Sequence, residues 1–281
     1  MRIGVNAFLF SFPFTNEGTV WFKTFKRWGF DCVEIPVDNP DGIDPEYVRA
    51  ELDKAGLPCA TVCGMFGLDR DLRGDAQAQK NSIDYLKKCI DYAVILGAHS
   101  VIGPVYSAVG RVGGAPPKER ARQWKLVVRN LKKVCRYAEK KGIRICLEPL
   151  NRFETDFINT CEQGLQMIKD VGSPALKLHL DTFHMNIEEK FQPKAIRKAG
   201  RHLGHLHACG CDRGTPGKDH IDWPGIGAAL KAIRYDGDVV IESFSHEMEM
   251  IATAAAIWRP IEKSPEVLAR GGLRFLRKAL A

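Results

Sequence analysis

The sequence of 281 residues contains no run of 18 or more apolar residues, the length that a membrane-spanning helix requires. Its first residues, MRIGVNAFLF, include one arginine and lead into the turn-rich SFPFTNEG without a small-residue cleavage site, which argues against a signal peptide. The nine cysteines are odd in number and follow no short repeated spacing, so no disulfide framework is indicated. These absences predict a cytoplasmic protein with no membrane partner.

The charge of the chain is moderately positive, with 41 basic and 34 acidic residues and a net charge of +7. Much of the excess lies in helical-looking stretches such as KERARQWKLVVRNLKKVCRYAEKKG, a composition typical of a solvated outer helix face. No nucleic-acid-binding motif accompanies these charges, so no nucleic-acid partner is expected. The hydrophobic content of 45% is enough for a sizeable core.

Short apolar runs rich in β-branched residues alternate with longer amphipathic stretches along the whole chain. The short runs predict eight strands, at Arg2–Asn6, Cys32–Ile35, Cys59–Cys63, Ser100–Gly103, Arg144–Glu148, Ala175–Asp181, Leu203–Ala208 and Asp238–Glu242. The amphipathic stretches predict eight helices, at Thr19–Trp28, Pro45–Ala55, Ala76–Leu96, Pro117–Lys140, Cys161–Asp170, Lys194–Gly200, Trp223–Arg234 and Pro265–Leu280. Strict alternation implies a parallel sheet with right-handed crossovers.

Eight strand–helix units in a chain of this length are typical of a closed (β/α)8 barrel. A doubly wound sheet is the alternative, but the turn after the first strand, VNAFLF, lacks a glycine-rich phosphate-binding pattern. No linker or low-complexity segment divides the chain. The predicted fold is therefore α/β, a single TIM-barrel domain over residues 1–281.

The last four predicted strands each end on a polar side chain. RICLE ends at Glu148, LKLHLD at Asp181, LGHLHA near His207 and DVVIE at Glu242. Each alone could be a helix cap or a satisfied core residue, but the carboxyl ends of barrel strands face the active-site mouth. With neighbouring strands about 4.8 Å apart, the four can converge, and a divalent cation would relieve the repulsion among their carboxylates. Such an oxygen-rich set predicts Mn²⁺, Mg²⁺ or Co²⁺, with Zn²⁺ as an alternative.

Four segments of the chain resemble one known family. LEPLNRFE, HLDTFHMNIEE, GHLHACGCDRGTPGK and VVIESF are similar to the ketose 3-epimerases, in particular to the D-tagatose and D-allulose (psicose) 3-epimerase group. The similarity extends more weakly to GPVYSAVG and AAAIWRP. The resemblance implies an isomerase of ketoses on a TIM barrel with one divalent metal ion, Mn²⁺ foremost and Co²⁺ or Mg²⁺ as alternatives. It implies no nucleotide cofactor, and an assembly of two or four identical chains.

The resemblance also assigns roles to individual residues. The implied metal ligands are Glu148, Asp181, His207 and Glu242, and the implied contacts to the sugar are Glu154, His184 and Arg213. Epimerisation beside a carbonyl is simplest with two proton carriers on opposite faces of the sugar. Glu148 and Glu242 follow non-adjacent strands and can flank a bound ketose, so they are the predicted proton carriers.

The three predicted sugar contacts have structural alternatives when each is considered by itself. Glu154 could form a loop salt bridge, His184 could support a metal ligand, and Arg213 could be a loop charge.

The chain departs from the family pattern at several positions. Gly210 stands where tagatose-type members typically carry a glutamate, and Asp212 stands where they carry an asparagine. The first strand end, NAFLF, lacks the usual tyrosine and tryptophan, so Phe8, Phe10 and Phe14 either form an apolar wall over carbons 4 to 6 of the sugar or pack in the core. These departures leave the choice of substrate open.

Other functions remain as alternatives. A metal-dependent lyase or isomerase acting on a 3-keto sugar or keto-inositol would share the metal and the enolisation step. An endonuclease IV-like phosphodiesterase needs three metals and further histidine ligands, whereas His184 and His207 are the histidines to which the matching motifs assign a role. A non-catalytic sugar-binding protein has no need for the pair of acids. The spacing of His207, Cys209 and Cys211 also suggests a zinc site, but that site lacks a fourth ligand.

Overall fold

A computed structural model describes residues 1–280 and places eight parallel strands in a closed barrel. The strands are β1 Arg2–Asn6, β2 Cys32–Val37, β3 Cys59–Gly64, β4 Ser100–Gly103, β5 Arg144–Leu147, β6 Leu176–Asp181, β7 Leu203–His207 and β8 Asp238–Ile241. Each strand pairs with the next along the chain, and β8 closes the barrel by pairing with β1, where Ile241 lies opposite Val5. The predicted TIM barrel is confirmed.

In the described part of the chain, ten α-helices surround the barrel. They are α1 Phe22–Trp28, α2 Pro45–Ala55, α3 Ala76–Leu96, α4 Pro117–Lys141, α5 Cys161–Val171, α6 Thr182–Glu188, α7 Gln192–Ala199, α8 Trp223–Ala232, α9 Glu249–Ala254 and α10 Pro265–Ala279. All eight predicted helices are present, but the first begins as a 3-10 helix over Asn16–Trp21. The short helices α6 and α9 were not predicted, because six or seven residues are too few to establish a helical period.

Local sequence signals explain where several helices begin and end. Thr160 and Gln163 form a reciprocal capping box at the start of α5. Gly97 ends α3 and Gly142 ends α4, both with a left-handed backbone (φ 71° and 70°) that carries little steric cost for glycine. Because the two helices end at these glycines, the strands that follow them, β4 and β5, begin within a few residues.

The helices pack on the barrel through a continuous apolar core, whereas the inside of the barrel contains polar side chains. Those that are fully buried and share hydrogen bonds or close contacts there are Asn6, Glu34, Thr61, His179, His205 and His207. This polar interior leads to the carboxyl ends of the strands, where the predicted site lies. The nine cysteines are all free, and no helix within residues 1–280 is long and apolar enough to cross a membrane.

Candidate active site

The four predicted metal ligands lie at the carboxyl ends of four consecutive strands. Asp181 and His207 are the last residues of β6 and β7 and pair with each other in register. Glu148 and Glu242 were predicted as the last residues of their strands, but β5 and β8 end one residue earlier, so both glutamates begin the following loops. All four side chains are buried.

His207 is the common member of three groups of side chains whose ligand atoms lie within 4.8 Å of one another, and two of these groups contain carboxylates. One group is Glu148, Asp181 and His207, and the other is Glu34, His207 and Glu242. Nδ1 of His207 lies 3.4 Å from Oε2 of Glu242. The structure thus brings the four predicted ligands together around one imidazole and adds Glu34, which the sequence did not single out.

Two atoms of this cluster that could bind a metal ion, Oε1 of Glu148 and Nδ1 of His207, are buried without a hydrogen-bond partner. Burial and the nearby carboxylates of Glu242 and Asp181 raise the pKa of Glu148 well above its ordinary value. Burial lowers the pKa of His207, but Glu34 and Glu242 outweigh it and raise the pKa. A divalent cation would satisfy both atoms and replace the protons that this environment favours, so the donor set fits such an ion.

Arg213 lies in the loop after β7 and reaches into the same cluster. Its Nη1 donates to Oδ2 of Asp181 at 2.8 Å and to Oε2 of Glu242 at 3.0 Å. The backbone at Arg213 is left-handed (φ 67°), which is uncommon for a residue with a side chain. Its N–H donates to the carbonyl of Gly210 and its carbonyl accepts from the Ser243 hydroxyl, so the turn is held on both sides.

Gly210, one of the departures from the family pattern, lies in the tight turn that presents Arg213. Its N–H donates to the carbonyl of Gly214 at 2.8 Å, and a Cβ at position 210 would lie 3.1 Å from that same oxygen. The side chain of Asp212 accepts from the N–H of Gly214. Both departures therefore shape the loop that presents Arg213.

Glu154 and His184, the other predicted sugar contacts, are held by Asn151. The backbone N–H of Asn151 donates to Nδ1 of His184 at 3.1 Å, and its Nδ2 donates to Oε1 of Glu154 at 2.8 Å. Nε2 of His184 faces the cluster, 3.8 Å from Oε1 of Glu148. Sequence reasoning missed Asn151, although it lies within the motif LEPLNRFE.

A cavity of about 280 Å³ opens above these residues. Its charged and hydrogen-bonding side consists of Glu148, Glu154, His184, Arg213 and Glu242. Its apolar side includes Phe8, Met65, Phe66, Phe244 and Ile251, the last from the unpredicted helix α9. All three predicted sugar contacts and both predicted proton carriers therefore line one space.

Of the three phenylalanines considered for an apolar wall, only Phe8 lines the cavity. Phe10 instead packs on Trp21 and Phe25, with ring centroids 4.9 and 5.0 Å apart. Phe14 is buried beside Phe22. The first strand is followed by a short 3-10 helix, which turns these side chains in different directions.

The alternative zinc site receives no structural support. β7 ends at His207, so His207, Cys209 and Cys211 do not share a strand face. Cys209 is buried with its Sγ 3.4 Å from Oδ1 of Asp181, whereas Cys211 is partly exposed. Within residues 1–280, no group of three potential ligands includes a cysteine.

Three buried ionisable residues of the barrel interior were also missed: Glu34, His179 and His205. Each interrupts an apolar strand pattern, in CVEIP, LKLHLD and GHLH respectively. Such an interruption is a usable signal, because buried ionisable groups persist only where they are paired or bound.

Comparison with known proteins identifies the family. Residues 22–279 match the model of the xylose isomerase-like TIM barrel family. The chain is 37% identical to a probable ketose 3-epimerase of Synechocystis sp., over 99% of this chain and 96% of that protein. It is also 37% identical to a D-psicose 3-epimerase of Ruminiclostridium cellulolyticum, over 92% of this chain and 91% of that protein. The chain belongs to the ketose 3-epimerase family.

The solved structures agree with this assignment. The crystal structure of a D-allulose 3-epimerase from Methylomonas sp. superposes with a TM-score of 0.93 at 32% identity, covering 100% of this chain and 98% of that one. The resemblance predicted from the four motifs is confirmed, and so is the prediction of a carbohydrate isomerase.

Proposed function

We propose that the protein interconverts free ketoses that differ in configuration at carbon 3, with one divalent metal ion held by Glu148, Asp181, His207 and Glu242. One observation supports this most strongly. Glu148 and Glu242 follow strands β5 and β8, which two other strands separate, and both line the same small cavity. Two carboxylates entering a sugar-sized space from different directions suit inversion of a carbon centre.

The chain's own residues provide the proton transfers and the orientation of the sugar. The glutamate that faces the hydrogen on carbon 3 removes it, and the other glutamate delivers a proton to the opposite face. The roles reverse for the other epimer. Arg213, His184 and Glu154 hydrogen-bond the oxygens at the carbonyl end and fix the reacting carbon between the two carboxylates. The metal, Mn²⁺ foremost with Co²⁺ or Mg²⁺ as alternatives, would supply Lewis-acid stabilisation of the charge that develops on these oxygens.

The apolar side of the cavity complements this arrangement. Phe8, Phe66 and Phe244 line the cavity together with the charged residues and would contact the carbons of the sugar far from the carbonyl. They would also exclude water from the reacting centre, which strengthens every electrostatic contact there.

A panel of sugars tests the proposal. Protein loaded with Mn²⁺ or Co²⁺ is incubated with D-fructose, D-allulose, D-tagatose and L-ribulose, and the products are separated by chromatography. We expect inversion at carbon 3 of at least one ketose. Loss of water or of an aglycone from a keto-inositol or keto-glycoside, with no ketose inverted, would favour the lyase alternative. About three metal ions per chain and cleavage of abasic DNA would favour the phosphodiesterase.

We further propose that residues 1–281 act as one catalytic domain in the cytoplasm and assemble as a homodimer or homotetramer, without a nucleic-acid or membrane partner. Light scattering coupled to size-exclusion chromatography measures the assembly directly, and a monomer at micromolar concentration would contradict it.

A further inference from the structure

Glu34 is a carboxylate with no solvent exposure, in the middle of β2 and outside the predicted site. Its oxygens are fully engaged. Asn6 donates to Oε1 at 2.6 Å, the Thr61 hydroxyl donates to Oε2, and Nε2 of His205 lies 3.0 Å from Oε2. Nε2 of His207 lies 2.8 Å from Oε1. A buried charge is costly unless it is paired, and the polar side chains of the barrel interior supply the partners of this carboxylate.

The two ring nitrogens of His207 face different carboxylates. Its Nε2 contacts Glu34, whereas its Nδ1 lies on the side of Glu242 and has no hydrogen-bond partner. A neutral imidazole carries its proton on one nitrogen only. Because a carboxylate accepts at Nε2, the proton belongs there and the lone pair belongs at Nδ1.

We propose that Glu34 is a positioning residue that holds His207 with its Nδ1 lone pair toward the metal site, an inference that rests on the proposed metal-dependent function. Asn6 on β1 and Thr61 on β3 hold Glu34 on β2, and Glu34 holds His207 on β7. One set of buried hydrogen bonds therefore connects the first half of the barrel to a ligand in the second half.

The surroundings of Glu34 agree with this role. Its two oxygens face an amide, a hydroxyl and two imidazoles, and each of these groups can donate a hydrogen bond to a carboxylate. Glu34 does not line the cavity, so it has no direct route to the sugar.

The substitution Glu34→Gln tests the role, because it keeps the size and removes the charge. The matched control is Asp238→Asn, which makes the same chemical change at a buried carboxylate on β8 that pairs with Arg2. Mn²⁺ affinity is measured by titration calorimetry, the Co²⁺ coordination by its visible absorption spectrum, and stability by thermal unfolding. We expect Glu34→Gln to weaken Mn²⁺ binding about 10- to 100-fold and to alter the Co²⁺ spectrum. Asp238→Asn should change neither, although both variants unfold at lower temperature.

Equal Mn²⁺ affinity in Glu34→Gln and wild type, or an equal loss in the control, would overturn the proposal. Glu34→Asp keeps the charge but is one methylene shorter, so we expect it not to restore affinity. Full restoration would show that charge alone matters, which contradicts positioning. If Glu34→Gln does not fold, Thr61→Val removes one hydrogen bond to Glu34 with almost no change of shape. It should weaken Mn²⁺ binding roughly 2- to 10-fold, the size expected for the net contribution of one hydrogen bond.

A spectroscopic readout separates this inference from the proposed function. In ¹⁵N-histidine-labelled wild type loaded with ¹¹³Cd²⁺, we expect metal coupling at Nδ1 of His207 and a proton on Nε2. Coupling at Nε2 would overturn the positioning role and leave a metal-dependent epimerase intact. A wild type that epimerises ketoses and binds no divalent ion would overturn both.

Discussion

At the scale of single residues, the proposed chemistry depends on two glutamates in different surroundings. Burial and two neighbouring carboxylates raise the pKa of Glu148. Burial also acts on Glu242, but His207 and Arg213 outweigh it and lower the pKa of Glu242. The two proposed proton carriers therefore differ in their surroundings, and each can be probed separately.

Deuterium exchange distinguishes the two glutamates. Glu148→Gln and Glu242→Gln each remove one base and keep its size, so each variant should lose epimerisation by about 10²- to 10⁴-fold. Exchange that survives in D₂O, with metal saturating, should label opposite epimers in the two variants, because each retains a different base. Mass spectrometry of the separated sugars measures the label. Incorporation into the same epimer by both variants would contradict a base on each face.

Substitution of Arg213 tests sugar binding separately from metal binding. Its guanidinium contacts two predicted metal ligands, so Arg213→Ala removes a cation beside the metal site and should not weaken Mn²⁺ binding. Loss of hydrogen bonds to the sugar should raise KM about 10- to 100-fold, with a smaller fall in kcat. Steady-state kinetics at saturating metal and calorimetry measure the two effects. An unchanged KM for every ketose would show that Arg213 does not contact the sugar.

The sequence predicted the residues that lie at strand ends and missed those that act through other residues. Glu148, Asp181, His207 and Glu242 could be found because the end of an apolar run is visible in one dimension. Glu34 could not be assigned a role, since its partner His207 lies 173 positions away. Which imidazole nitrogen faces which carboxylate is decided by packing across the barrel.

At the scale of elements, the loops that surround the cavity are tied together by Arg73, which follows β3. Its guanidinium donates to the Ser107 hydroxyl and the Arg111 carbonyl after β4, and to Asp156 after β5. The side chain of Arg73 is almost completely buried. Three loops thus share one cation, and the third also carries Glu154.

Replacing Arg73 by methionine should destabilise the protein. We expect a loss of about 3 kcal/mol in the free energy of unfolding, the lower end for a broken buried ion pair, because Asp156 retains some contact with water. Urea unfolding followed by circular dichroism measures the loss. Arg122→Met is the control, since Arg122 forms an exposed pair with Glu119 on α4 and should cost at most about 0.5 kcal/mol. Equal losses in the two variants would mean that the loops do not depend on Arg73.

The sequence predicted the long helices but not the shortest ones. The long helices α3 and α4 were predicted nearly to the residue, because their apolar period repeats over 21 and 25 residues. Helix α9 has only six residues, too few for an apolar period to repeat. Its Ile251 nonetheless lines the cavity, so part of the cavity wall lies in an element that periodicity does not reveal.

At the scale of the whole molecule, regular alternation of strands and helices was enough to predict the barrel. Its closure depends on pairing between β1 and β8, whose residues are more than 230 positions apart. The predicted ligands on β6 and β7, and those just beyond β5 and β8, are up to 94 positions apart in the chain and become neighbours only in the folded molecule. A bound metal ion should therefore stabilise the folded molecule as a unit.

Removal of metal tests this coupling together with the activity. Chelation should abolish epimerisation, and Mn²⁺ or Co²⁺ should restore it. At a free metal concentration 100 times its Kd, binding should add about 2.7 kcal/mol to the free energy of unfolding and raise Tm by about 5 °C. Scanning calorimetry measures the shift, which Asp181→Asn should reduce. Full activity in exhaustively metal-free protein would contradict metal dependence.

The two halves of the barrel contribute differently to the cavity wall. The charged side chains that line it, Glu148, Glu154, Arg213 and Glu242, all come from the half that begins with β5, whereas β1 to β4 and their loops supply uncharged residues such as Phe8, Met65 and Phe66. For directed evolution this is a natural partition of the gene. Libraries confined to the loops that carry Phe8, Met65 and Phe66 would vary the apolar side of the cavity, while the half that encodes the proposed proton carriers is left untouched.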